Sequence, residues 1–156
     1  MLQRLAEQMG RAIDATSTYI CDWNAATGHA AVLAEYFSPH ARPEELASDL
    51  GQTYSLEQDL GLTAEWLSSL QPLVAQVDDP ALPDLKLQHM RQYGAKSTLM
   101  VPLTAHGNLF GYAELWESRR RRDRALSRPS QCGPACWRPS SNGSRRCGRR
   151  LRLPQW

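Results

Sequence analysis

The segment from Ser97 to Glu117 constrains the fold more than any other part of the chain. A run from Ser97 to Thr104 is followed by the turn sequence His106-Gly107-Asn108 and by a second run to Glu117. A period of two, which a β-strand with two different faces requires, runs through the second half. Alternate residues therefore fall into two sets, one on each face of the strand. The first set is small or aliphatic (Leu109, Gly111, Ala113, Leu115), and the second is large (Phe110, Tyr112, Glu114, Trp116). The segment predicts an antiparallel hairpin with a helix on the first set and a pocket or second layer on the second.

The N-terminal third adds a helix and a second hairpin. Leu2, Leu5, Met9 and Ile13 recur at spacings of three and four, which predicts an amphipathic helix over residues 2–13. Two runs rich in β-formers follow, from Thr18 to Trp23 and from His29 to Phe37. The Asn24–Gly28 segment between them supplies turn residues, so we expect an antiparallel pair.

Shorter elements are predicted between the two hairpins, after a loop-like stretch over 38–52. They are a short strand at Thr53–Leu56, a helix from an N-cap at Thr63 to about Leu70, a strand at Leu73–Val77 and a helix over 84–93 that ends at Gly94. Two antiparallel hairpins with short helices between them indicate one small α+β domain.

Charge divides the chain into two unlike parts. Residues 1–118 carry six basic and fifteen acidic side chains, a net charge of −9, whereas residues 119–156 carry twelve Arg and one Asp, a net charge of +11. Residues 124–156 also lack Val, Ile, Met, Phe and Tyr. A segment this poor in apolar side chains cannot bury enough surface to form a core, so we predict a disordered basic tail beyond a domain that spans residues 1–123.

Three interpretations of this tail compete. Arg-rich segments bind nucleic acid or other anionic surfaces. Cys132, Cys136 and Cys147 suggest zinc, but a fourth ligand is missing from the pattern, so a closed tetrahedral site is not expected. The composition, rich in Arg, Pro, Ser, Cys, Gly and Trp, is also typical of GC-rich coding DNA read in the wrong frame, and it favours this frameshift interpretation.

The compartment is predicted from what the sequence lacks. No run approaches the roughly 20 apolar residues of a membrane span, and Glu7 and Arg11 interrupt the N-terminal segment where a signal peptide would be apolar. Cys21 is the one cysteine before the tail, so no disulfide framework is expected. These features predict a cytoplasmic protein that does not enter a membrane.

The order of elements and the last hairpin resemble the GAF domain, the small sensory module of signalling proteins. The resemblance covers residues 1–123 and rests chiefly on Ala95 to Leu103, the Gly107 turn and Leu109 to Leu115. It implies a GAF/PAS-like central antiparallel sheet with the N-terminal helix on one face and short helices over the ligand-side face. It also implies a closing helix after the last strand, and the sequence departs from the family there, because that helix is missing after Asp123.

The resemblance implies a non-catalytic domain that senses a ligand or a partner. The Cys of bilin-binding GAF domains usually lies in the second half of the domain, unlike Cys21, and the Asn-Lys-Phe-Asp-Glu signature of cyclic-nucleotide-binding members is absent. An output domain, a histidine kinase or a cyclic-dinucleotide enzyme, is expected elsewhere in a longer signalling protein of which this chain is a fragment. Two alternatives stay open: a GAF-fold methionine sulfoxide reductase, which one domain cysteine disfavours, and a nucleic-acid-binding protein that acts through its tail.

The pocket face is predicted to hold a small-molecule site. Glu114 would need a hydrogen-bond donor there, with His89 or Tyr93 as candidates, and Gly111 would let a ligand or another backbone approach. A filled core without a cavity is the alternative. No cofactor is identified; a homodimer is expected, because one helix alone would half cover the opposite face. The predicted ligand-side residues are Tyr54, Trp66, Leu70, His89, Tyr93, Met100, Phe110, Tyr112 and Trp116.

Overall fold

A computed structural model describes residues 1–119 of the chain. The helices are α1 (Leu2–Ile13), α2 (Leu56–Leu60), α3 (Ala64–Ser68) and α4 (Asp84–Gln92), with a single 3-10 turn at Pro43–Glu45. The strands are β1 (Ser17–Asp22), β2 (His29–Phe37), β3 (Thr53–Ser55), β4 (Leu73–Gln76), β5 (Ser97–Ala105) and β6 (Asn108–Glu117). The predicted end of the domain at residue 123 and the predicted disordered tail lie outside the described residues.

All six strands form one antiparallel sheet in the order β3-β2-β1-β6-β5-β4. The predicted hairpins supply its centre: β1 pairs with β2, and β5 pairs with β6. β1 also pairs with β6, with Ser17 opposite Trp116 and Cys21 opposite Tyr112, which closes the N-terminal half of the domain onto its last strand. The predicted α+β class, with its central antiparallel sheet, is confirmed.

One face of the sheet packs against α1. Ala6 of the helix is buried with Ile20, Ala34 and Leu115 of three strands. Gly10 brings the helix axis close to β2, since a Cβ at this position would lie 2.6 Å from the Tyr36 ring and 2.7 Å from Thr18 Oγ1. The helix ends at Asp14, which takes a left-handed conformation with φ of 59°. The amphipathic pattern of residues 2–13 therefore places this helix correctly.

The other face packs against the short helices. Leu56 and Leu60 of α2, Leu67 of α3 and Met90 of α4 are buried against aromatic strand residues that include Tyr112 and Trp116. Tyr112 and Trp116 of β6 thus lie on the face opposite α1, as predicted. Helix α2 was not predicted. It is only five residues long, and the Ser55 side chain accepts a hydrogen bond from Gln58 N at its start, so Leu56 begins a helix where the sequence suggested the end of a strand.

A bulge corrects the predicted alternation at the start of β6. Leu103 lies opposite Gly111 and Thr104 opposite Leu109, so Phe110 is an extra residue without a partner on β5. An extra residue reverses the alternation of faces. Leu109 therefore packs with the aromatic cluster and not, as predicted, under α1. The small residue Gly111 is needed here because a Cβ would collide with the Cys21 carbonyl oxygen of β1.

The first residue of the basic run belongs to the folded domain. The Arg119 guanidinium is buried and pairs with Asp14 at the end of α1 and with Glu117 at the end of β6. The buried carboxylate of Glu45 accepts hydrogen bonds from the Thr16 and Ser17 hydroxyls and thereby holds the 38–52 loop against β1. The contacts of Arg119 with Asp14 and of Glu45 with Thr16 and Ser17 have no signal in the sequence, since they join residues distant along the chain.

Candidate functional site

A small cavity lies between the sheet and the short-helix side. Its volume is about 20 Å³, enough for roughly one water molecule. An aromatic face with a space behind it is present, and that space is nearly filled; the small-molecule site predicted there stays a prediction. The cavity is lined by Tyr19, Cys21, Val32, Asp49, Tyr54, Leu60, His89, Tyr112, Glu114 and Trp116.

Edge-to-face ring contacts build the walls of this cavity. The Trp116 ring contacts Tyr19 at 5.6 Å and His89 at 5.5 Å between centroids. His89 also lies 5.9 Å from Tyr54 and 5.2 Å from Tyr93. The first three pairs are T-shaped and the His89–Tyr93 pair is tilted. Such pairs stabilise a fixed arrangement of rings, so strands β1, β3 and β6 and helix α4 are joined through one aromatic cluster.

Glu114 obtains its donor from a residue that the sequence did not indicate. Lys86 Nζ of α4 donates to Glu114 Oε1, and both side chains are buried, with 0% and 7% of their surface exposed. The predicted donors, His89 and Tyr93, make no hydrogen bond to Glu114 within the described residues. Lys86 was missed because a helical lysine normally faces solvent, and only the position of α4 across β6 brings its ammonium group to the carboxylate.

Burial dominates the electrostatics of the cavity. Together with the neighbouring Glu114 carboxylate, it raises the pKa of the Cys21 thiol to about 12. It lowers the pKa of His89, which is therefore neutral at pH 7, and raises that of the Asp49 carboxyl. A thiol with such a pKa is not a nucleophile near neutrality.

A larger, open groove lies beside the cavity. It has a volume of about 390 Å³ and is bordered by β3, α2 and α4. Tyr54 and His89 line both spaces, so these two side chains form the wall between cavity and groove. The remaining lining residues are Thr53, Gln58, Asp59, Leu85, Gln88, Gln92 and Tyr93.

The nine predicted ligand-side residues separate into two groups. Tyr54, His89, Tyr112 and Trp116 line the cavity, and Tyr93 lines the groove. The other four line neither space. Trp66 packs on the Tyr112 ring at 6.1 Å, Met100 is fully buried in the core, Leu70 is 48% exposed after α3, and Phe110 lies at the β6 bulge.

The sequence did not indicate Asp49 or Asp59, because each lies in a segment where acidic residues are usually solvated. Among the described residues, no group of three or more His, Cys, Asp or Glu side chains is arranged to hold a metal ion. Within the same residues, no helix is long and apolar enough to cross a membrane.

The arrangement of strands and helices was compared with that of known proteins. No protein-family model matches the sequence, and no curated protein matches it. Solved structures do match. A phycoerythrobilin-bound GAF domain from a cyanobacterial phytochrome aligns over 76% of this chain and 70% of its own, with a TM-score of 0.62 and 15% identity.

Two further structures agree. A phycocyanobilin-bound GAF domain from a cyanobacterial phytochrome has a TM-score of 0.61 at 17% identity over 76% of this chain and 69% of that one. The PixJ GAF domain of Thermosynechococcus elongatus has a TM-score of 0.58 at 13% identity over 85% and 71%. Identities this low concern the fold alone. The resemblance seen in the last hairpin is thereby confirmed: this chain has the GAF fold.

Proposed function

We propose that this domain is a non-catalytic sensory module of a cytoplasmic signalling protein, and that it binds a small molecule on the side of the sheet opposite α1. One observation carries the proposal: an aromatic cavity and an open groove share the wall formed by Tyr54 and His89. Concave spaces lined by aromatic rings and a few polar groups are the usual sites of small-molecule binding.

The chemistry of the cavity favours binding over catalysis. Reduction of a sulfoxide by cysteines needs a reactive thiolate and a second thiol. Cys21, the one cysteine before residue 132, is buried, and its thiol has a pKa of about 12. This observation disfavours the methionine sulfoxide reductase alternative. The nucleic-acid-binding alternative depends on residues 124–156, outside the described residues, and stays a prediction.

The ligand proposed here is smaller than those of the similar structures. Two of these GAF domains hold bilins, which are linear tetrapyrroles. A cavity of about 20 Å³ has no room for such a molecule, and the Cys21 thiol is not reactive enough to attach one. We therefore expect a non-covalent ligand that enters the groove and reaches the cavity past Tyr54 and His89.

Signalling would pass through the strands that have cavity residues on one face of the sheet and α1 on the other. β1 and β6 carry cavity residues on one side and contact α1 on the other. A ligand that binds one arrangement of the cavity better than another would shift α1 relative to the sheet. An output domain such as a histidine kinase or a cyclic-dinucleotide enzyme, together with a homodimer, would carry that shift onward.

Thermal denaturation of the full chain against a library of small metabolites tests this function. A ligand should raise the melting temperature of the native protein in a concentration-dependent way. It should raise that of His89→Ala much less, while the exposed His40→Ala serves as the matched control and should respond like the native protein. A library that stabilises the native and His89→Ala proteins equally would count against this site.

A further inference from the structure

The charges around the cavity and groove have one sign. Asp49 and Glu114 line the cavity and Asp59 lines the groove, and the remaining described lining residues are uncharged or, like His89, neutral. Lys86 balances Glu114 from behind, since it forms the ion pair without lining either space. Two carboxylates therefore remain without a cation of the protein in the lining, and this arrangement repels anionic ligands.

Aromatic rings stand where a positive charge would be favourable. His89, Tyr54 and Tyr93 all line the groove, and the His89 ring lies 5.9 Å from the Tyr54 ring and 5.2 Å from the Tyr93 ring between centroids. Behind this wall, Tyr19, Tyr112 and Trp116 surround the cavity. Cations bind over the faces of such rings when these lie within about 6 Å, and more strongly where water is excluded.

The indole of Trp116 is a buried donor of this cluster that lacks an acceptor. Trp116 is 3% exposed, and its indole Nε1–H makes no hydrogen bond within the described residues. A buried donor without an acceptor is destabilising unless a guest molecule provides one. The ring lines a cavity with room for about one oxygen atom of a guest, given its volume of about 20 Å³.

We propose that the groove and cavity together form one binding site for a small organic cation that also carries an oxygen acceptor, such as an amino alcohol or a hydroxylated quaternary ammonium compound. This inference rests on the proposed ligand-binding function and specifies its ligand class. The ammonium group lies against Tyr54, Tyr93 and Asp59, and the oxygen reaches the cavity. The groove, at about 390 Å³, accommodates such a molecule.

Calorimetric titration of the full chain with choline tests the charge directly, because 3,3-dimethylbutan-1-ol has the same shape and hydroxyl group without the charge. Butyrate supplies the opposite charge, and all titrations are made at equal ionic strength. We expect choline to bind about 10-fold more tightly than the neutral alcohol and butyrate not to bind.

Asp59→Asn, which keeps the acceptor for Ser55 N, should weaken choline binding about 5-fold. Glu57→Gln, an exposed carboxylate on the same helix outside the groove, should leave it unchanged.

The possible outcomes distinguish a failure of the cation preference from a failure of the proposed ligand-binding function. If the neutral alcohol binds as tightly as choline, or butyrate binds better, the site accepts ligands but the cation preference is wrong. If choline does not bind at millimolar concentration, the inference is overturned, and the metabolite screen still decides the proposed function. An equal loss of choline affinity in Glu57→Gln and Asp59→Asn would show nonspecific attraction to the acidic surface, which also overturns it.

Discussion

At the scale of single residues, the buried pair of Lys86 and Glu114 has the largest predictable effect on stability. Glu114→Gln leaves the Lys86 ammonium buried without its counter-charge, so we expect a loss of about 3–5 kcal/mol in the free energy of unfolding. The double variant Lys86→Met/Glu114→Met removes both charges and should lie within about 1 kcal/mol of the native protein or above it. Urea denaturation measures both.

The matched control is the pair of Glu7 and Arg11, which lies on the exposed side of α1 with 37% and 65% of the side chains exposed. Glu7→Gln should cost less than about 0.5 kcal/mol. If Glu114→Gln and Glu7→Gln lower the free energy of unfolding by the same amount, the Lys86–Glu114 pair is not buried as described.

A second prediction at this scale concerns the pH dependence of stability. Burial lowers the pKa of His89 below its ordinary value of 6.5, although Glu114 and Asp59 oppose this and Lys86 reinforces it. The unfolded chain therefore binds a proton at His89 more readily than the folded chain, and the stability due to neutral His89 is lost as the pH falls from about 7 through 6.5 toward the folded pKa. His89→Gln should flatten this part of the profile. The exposed His40→Gln should keep the native slope; an unaltered slope in His89→Gln would contradict the assignment.

Residue-level prediction from the sequence succeeded where the signal was local. Asn24 was predicted to make a turn, and its side chain does accept hydrogen bonds from Ala26 N and Thr27 N. Lys86 and Asp49 gave no signal, because burial of a lysine or an aspartate depends on which strand the fold brings opposite it. The role of such residues becomes visible only once α4 and the 38–52 loop are placed.

At the scale of elements, the contact between α1 and β2 depends on Gly10. In an exposed helix, Gly→Ala stabilises by about 1 kcal/mol. Here the added methyl would lie 2.6 Å from the Tyr36 ring and 2.7 Å from Thr18 Oγ1, so overpacking outweighs propensity and we expect Gly10→Ala to destabilise by about 1–3 kcal/mol. The exposed Gln8→Ala on the same helix should change stability by only a few tenths of a kcal/mol. A Gly10→Ala protein more stable than the native one would contradict the close approach.

Elements with a strong period were predictable, and elements set by tertiary contacts were not. Helix α1 was predicted over residues 2–13 and strand β2 over 29–37, and both have these bounds in the structure. Helix α2 and the 3-10 turn at Pro43–Glu45 are too short to show a period. The bulge at Phe110 was missed because its register is set by the partner strand, and the facing of Leu109 was wrong as a result.

At the scale of the whole molecule, α1 covers one half of its face of the sheet. The helix packs against β2 and β1 and touches β6. On the β5–β4 half of this face, Leu99, Val101 and Leu103 are only partly buried, and Val74, opposite Leu99, is 42% exposed. A contiguous apolar surface of this kind is typical of an interface.

This surface predicts that the chain self-associates. Residues 124–156 contain three Leu and two Trp as their only large apolar side chains, so a second copy of the sheet face is the better apolar cover, and burial of apolar area is worth about 25 cal/mol per Å². We expect the full chain to form concentration-dependent dimers or larger species in sedimentation experiments, and Leu99→Ser/Val101→Ser to shift it toward monomer. The control Leu46→Ser/Leu50→Ser removes two exposed leucines of the 38–52 loop, 53% and 57% exposed, and should not change the association. A native chain that stays monomeric at all concentrations, or a loop variant that dissociates as readily as the sheet variant, would rule this interface out.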